Sequence, residues 1–250
     1  MRNIWTIAKR EYNHYFISPI AYAIAFVILL LLGLFFAFII NNYAQNAFQL
    51  GGSTPNMSNI GGLFAFLMVF SIPALTMRLV SEETRMGTIE LLLTAPVRDS
   101  ELIIGKWLGS FLFVLTLIAA TLVYPMIMNS LVDPGIDQRQ LMSAYLGLIL
   151  VAASLLSIGI GISAIFSNQI VAWLATFGAG LVLWWAIGLP TQIASLSPAA
   201  GDVFRHLTMN THLSPLLEGS INLSAIVYFL SLVALGLFTG TTAIEMRRWR

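Results

Sequence analysis

Six long apolar runs free of Asp, Glu, Lys, Arg and His dominate this chain of 250 residues. They cover 20–40, 60–77, 107–128, 141–166, 170–189 and 221–244. A helix that crosses a bilayer needs about twenty mostly apolar residues. Backbone groups in lipid must satisfy one another within the segment, so each run is predicted to be a helix. The chain is 58% hydrophobic and only 9% charged, with a mean hydropathy of +0.86. A soluble domain carries roughly 25% charged residues. One aqueous core cannot hide this much apolar surface, so the predicted fold class is an all-α membrane protein. Residues 1–250 form a single transmembrane domain of six spans.

The first run is too long for the apolar core of a secretory signal and is read as an uncleaved span. With the N-terminus in the cytoplasm, ten of twelve Lys and Arg fall on inner segments, and only Arg139 and Arg205 fall outside. That bias sets the predicted orientation, with both termini cytoplasmic in an inner (plasma) membrane. Trp5, Trp107, Trp173, Trp184, Trp185 and Trp249 sit near span ends, as an interfacial belt requires. Only Ser167, Asn168 and Gln169 join the fourth and fifth spans, which predicts a tight helical hairpin. The outer segment 190–220 is too long for a turn and is expected to form short helices that dip into the outer leaflet.

Residues 1–19 precede the first span. At about 100° per residue, Ile4, Trp5, Ala8, Tyr12, Tyr15 and Phe16 share one arc. Arg2, Thr6, Lys9, Arg10, Asn13 and His14 share the other, and Ile7 is a misfit. The pattern predicts an amphipathic elbow helix at the lipid headgroups, with Trp5, Lys9, Arg10, Tyr12 and Phe16 as its contacts. Between spans two and three lies a charged stretch. Ser81 can cap a helix there, Glu82 and Glu83 suit the helix dipole, and Pro96 stops it. Ile89, Leu92 and Leu93 form a short apolar stripe. Gly87 is a poor helix former and implies close approach of another group. A short surface helix over 81–96 is expected, able to transmit force to the spans.

The run Glu82-Glu83-x-x-x-Gly87-Thr88-x-Glu90-x-Leu92-Leu93-x-x-x-Pro96, followed by Gly105-Lys106, resembles the permease subunits of ABC-2 type ATP-binding-cassette transporters. The N-terminal Lys9-Arg10-Glu11-x-x-x-Tyr15-Phe16-x-Ser18-Pro19-Ile20-Ala21-Tyr22 is similar to the gliding-motility-associated branch. The resemblance spans essentially the whole chain. It implies that the segment between spans two and three carries a coupling helix that docks on a separate ATPase. Glu82, Glu83, Arg85, Gly87, Thr88 and Glu90 then lie at or near that contact. It also implies export, pairing with a second permease subunit, and ATP and Mg bound by the partner ATPase.

Other functions are disfavoured by what the sequence lacks. No phosphate-binding loop appears, so ATP hydrolysis belongs to a partner chain and this chain is not an enzyme. The absence of Cys removes disulfides, thiol catalysis and thiolate metal sites. The three His are scattered. A net charge of +1 does not suggest nucleic acid. Ion-coupled carriers hold ionisable groups within the membrane, and these runs have none. Tyr124, Asn129, Thr116, Thr121, Ser154 and Ser157 are expected mainly as interhelical hydrogen-bonding groups. Pro73 and Pro125 should bend their spans. Gly105-x-x-x-Gly109 and Gly236-x-x-x-Gly240 are expected to pack helices within one subunit. A second reading is a force-transmitting or scaffold subunit of a cell-envelope machine, acting with a periplasmic partner through 190–220.

Overall fold

The structure, a computed structural model, describes residues 2–45, 57–88, 97–131, 135–192 and 198–248. Among these residues every regular element is helical. In chain order they are α1 (Arg2–Tyr15), α2 (Pro19–Gln45), α3 (Met57–Thr76), α4 (Ser81–Arg85), α5 (Asp99–Ala120) and α6 (Val123–Leu131). Then follow α7 (Gln138–Ile165), α8 (Gln169–Trp184), a 3-10 turn (Ala186–Gln192), α9 (Pro198–Leu207), α10 (Met209–Leu217) and α11 (Leu223–Arg248). Six stretches are long and apolar enough to cross a membrane. They are Pro19–Gln45, Ser58–Arg85, Asp99–Leu131, Gln138–Ile165, Gln169–Leu189 and Leu223–Arg247.

The six expected spans are all present, and their ends shift for local reasons. The third starts eight residues earlier than its apolar run, where Glu101 Oε2 accepts from the Arg98 backbone N–H at 3.3 Å and closes the first turn of α5. The same span breaks at Thr121 and Leu122. Pro125 explains the place: a proline ring collides with the carbonyl four residues earlier, here that of Thr121. Pro73, by contrast, lies inside an uninterrupted α3. The hairpin between α7 and α8 forms as expected. Asn168 caps α8 by accepting from the backbone N–H groups of Ile170 (2.9 Å) and Val171 (3.5 Å).

At the centre stands α7, packed by α3, α5, α8, α10 and α11. Glycines let its neighbours approach. A Cβ on Gly236 of α11 would strike the Ser157 backbone, and one on Gly161 would strike the Gly236 carbonyl. Thr76 of α3 lies against Gly159 in the same way. The Gly236/Gly240 pair thus packs two helices of one chain. Ser157 Oγ adds a bond across that contact, donating to the Leu232 carbonyl at 3.2 Å.

The other hydroxyls divide. Tyr124 reaches across to the Leu29 carbonyl (3.0 Å), and Thr121 Oγ1 pairs with the Tyr145 hydroxyl (3.2 Å). Thr116 and Ser154 instead donate to carbonyls of their own helices, and Asn129 accepts from the Ile136 N–H. Trp107 makes a bond between helices as well: its Nε1 donates to the Ala153 carbonyl of α7 (3.1 Å). Trp249 lies outside the described residues.

Short helices occupy the segment between α8 and α11. Leu213 and Leu216 of α10 fit against Gly147, more than two turns inside α7, and Leu217 covers Gly61 of α3. His212 is buried beneath Tyr228, with ring centroids 4.2 Å apart, and its Nε2 donates to the His206 carbonyl (2.9 Å).

Candidate coupling site

The N-terminal helix is amphipathic, and its inward face is charged as well as apolar. Ala8, Glu11 and Tyr15 are its buried residues, while Trp5 and Phe16 are exposed. Ile7 is no misfit, since it fills the space left by Gly105. One turn on, Gly109 accepts the α1 backbone at Ala8 and Tyr12. Contacts between α1 and α5 advance in step: Asn3 meets Glu101, Ile7 meets Gly105, Glu11 meets Lys106 and Gly109, and Tyr15 meets Ser110. The two helices therefore run side by side through the Gly105/Gly109 pair.

At the middle of this contact Lys106 is buried, with its side chain only 2% exposed. Its Nζ lies 3.0 Å from Glu11 Oε1 and 2.8 Å from Glu83 Oε1. Arg10 pairs with Glu11 at 2.9 Å and approaches the same Glu83 oxygen at 3.8 Å. One lysine of α5 thus joins a carboxylate of α1 to a carboxylate of α4. An ammonium this deep is tolerated only because both anions face it. Burial would raise the Glu11 pKa, but Lys106 and Arg10 outweigh that and hold it below the usual carboxylate range. Burial pushes the Tyr15 phenol up. Its hydroxyl donates to the Leu75 carbonyl at 3.1 Å and lies 3.1 Å from Ser110 Oγ. Tyr15 thereby ties α1 to α3 and α5.

Helix α4 is short and held at its root. Ser81 is not its cap: the residue is buried, and its hydroxyl turns back to the Met77 carbonyl. The cap comes from α7, where Ser163 Oγ accepts from the N–H groups of Val80 (3.2 Å) and Ser81 (3.1 Å). The helix ends at Arg85, and residues 89–96 of the expected 81–96 helix lie outside the described residues. Gly87 follows its C-terminus at φ +70, the left-handed geometry that glycine adopts without strain. Among the described residues nothing lies within 4 Å of a Cβ placed there, so the left-handed turn is the role the structure shows for Gly87.

The expected docking residues separate accordingly. Arg85 and Gly87 are exposed, as is Met86 between them, which was not among the expected residues, and Glu82 and Thr88 are partly so. Glu83 points inward to Lys106. Glu90, with Ile89, Leu92, Leu93 and Pro96, lies outside the described residues. Sequence reasoning missed Glu11, Lys106 and Ser163 as a connected set. A signal existed for Glu11: it sits three and four residues after Ala8 and Ile7 and four before Tyr15, on the buried stripe. Ser163 gave none, because a cap from another helix leaves no local pattern.

The comparisons agree with this architecture. A family profile described as ABC-2 family transporter protein matches residues 5–240. The chain belongs to that family. It is a multi-pass membrane permease subunit of an ABC transporter. A search of curated proteins found no match. Membership implies, in general, an ABC ATPase partner and dimerisation of permease subunits. In this ABC-2 permease the charged cluster occupies one end of the bundle, where α1, α4 and α5 meet.

Proposed function

We propose that this permease is an exporter driven by a separate ATPase that docks on the turn after α4. ATP and Mg are bound by that partner. Both termini and the docking turn face the cytoplasm of an inner-membrane complex, as the distribution of Lys and Arg supports. The gliding-motility branch is the part of the family that the N-terminal motif favours.

The observation that carries the coupling role is the position of Lys106 between Glu11 and Glu83. An ATPase pressing on exposed Arg85 and Met86 moves α4 as a unit. Lys106 passes that displacement to α5 and α1, and Ser163 passes it to central α7. Buried, directional pairs transmit small shifts because a packed interior does not deform continuously. Glu83 works within the permease in this scheme, and Arg85, Gly87 and Thr88 offer the outward surface.

Co-purification of the full chain with its ATPase from mild detergent tests the reading. Arg85→Glu should reduce recovery of the ATPase at least fivefold while leaving the permease folded. Wild-type recovery and wild-type ATPase coupling in Arg85→Glu, combined with Met86→Asp, would remove this turn from the contact.

A further inference from the structure

Beside the ion-paired cluster lies an open cleft of about 950 Å³ between α1, the start of α2, the end of α3 and α4. That volume is within the roughly 300–1,000 Å³ usual for small-molecule sites. Its walls are of two kinds. One end is apolar, formed by Ile17, Ile20, Ala74 and Leu75, and Ile17 is 78% exposed at its edge. The other end is charged.

Most of those charges satisfy one another, and what remains has a definite pattern. Lys106 is engaged by Glu11 and Glu83, and Arg10 by Glu11. Arg78 makes no ion pair among the described residues, and its Nε is buried without a hydrogen-bond partner. Glu83 Oε2 is likewise buried and without a donor. Glu82 lines the same cleft close by. One unmatched donor, Arg78 Nε, and one unmatched acceptor, Glu83 Oε2, therefore belong to residues lining the same cleft, which also has an apolar wall. Buried polar atoms are seldom left without a partner, since each costs the desolvation of the group.

We propose that this cleft binds one bilayer phospholipid with a zwitterionic headgroup whose ammonium bears N–H donors, such as phosphatidylethanolamine. The phosphate takes Arg78, whose guanidinium suits phosphate oxygens. The ammonium donates to Glu83 Oε2 and Glu82. The first part of an acyl chain follows Ile17, Ile20, Ala74 and Leu75 into the bilayer. A choline headgroup matches the charges but has no N–H to give Glu83. A glycerol headgroup brings a net negative charge against Glu82 and Glu83. The lipid seats where α1 turns into α2, so it braces the elbow against α3 and α4.

Native mass spectrometry of the full chain, titrated separately with phosphatidylethanolamine, phosphatidylcholine and phosphatidylglycerol of identical acyl chains, tests this. One phosphatidylethanolamine per chain should be retained, at least fivefold over either other lipid. Arg78→Gln should lower that retention at least fivefold, and Arg78→Lys should restore part of it. Glu82→Gln should narrow the preference over phosphatidylglycerol, providing a second arm if Arg78→Gln fails to fold. Equal retention of all three lipids would overturn the proposal. So would binding of soluble phosphoethanolamine without any lipid, which would assign a water-soluble ligand. Loss of ATPase co-purification in Arg78→Gln with lipid retention unchanged would assign the cleft to a protein contact instead.

Discussion

Helices α2 and α7 are similar in length and both are apolar enough to span a membrane, yet they live in opposite surroundings. In their most hydrophobic windows, 17% of α2 is buried against 78% of α7. Their small and hydroxyl residues differ too. Helix α2 carries one glycine and neither serine nor threonine, and large residues such as Phe26, Leu34 and Phe38 point away from the bundle. Helix α7 carries Gly147, Gly159 and Gly161 and buries Ser143, Ser154, Ser157 and Ser163. Lipid tails are as apolar as leucine, so hydrophobicity gives no reason for two membrane helices to associate. Close approach at small residues and hydrogen bonds do. Here the most apolar span lies at the periphery, and α7 meets its neighbours through small and hydroxyl side chains.

The largest effect should arise where a charge has joined the packed interior. Lys106→Met leaves Glu11 and Glu83 facing each other with only Arg10 nearby. A cost of about 3–5 kcal/mol is expected, read as thermal unfolding in detergent followed by tryptophan fluorescence. Adding Glu11→Gln and Glu83→Gln to Lys106→Met should recover most of the loss, because no buried charge then lacks a partner. The Glu11 carboxylate has a lowered pKa in the fold, so its contribution is complete at neutral pH and is lost as pH falls through that lowered value. A stability loss already beginning near neutrality would contradict the pairing.

Next comes the packing of α11 on α7. Gly236→Leu forces a side chain into the Ser157 backbone and should cost about 3 kcal/mol or the folded state itself. Leu34→Ala on exposed α2 should stay within about 0.5 kcal/mol by the same assay. Equal losses for the two would erase the distinction between core and periphery. Ser163→Ala should cost about 1 kcal/mol by uncapping α4. Hydrogen exchange at Val80 and Ser81 should rise in that variant while exchange across the α7–α11 contact does not. Unchanged exchange at both residues would show that α4 does not depend on α7.

Much of the architecture was legible in the chain. The charge-free runs predicted all six spans, because the bilayer imposes a length and forbids unsatisfied backbone. The short link Ser167-Asn168-Gln169 marked the α7–α8 hairpin, and the two glycine pairs marked close packing within the chain. Locally, Glu82 and Glu83 looked alike, both acidic residues in the first turn of a short helix. Only the fold separates them: both line the cleft, but it is Glu83 that pairs with Lys106. Likewise Gly87 was legible only as a poor helix former, and the structure adds that it takes a left-handed turn after α4.

The sequence by itself determined which segments enter lipid, since that depends on transfer free energy summed along each run. It could not determine which spans meet, because the bilayer treats every apolar face alike. Only the tertiary structure decided that α7 is central, that its Ser163 caps α4, and that Glu11, Glu83 and Lys106 converge from three helices. Those outcomes rest on short-range packing and pairing between residues more than twenty positions apart, which leave no periodic trace in the chain.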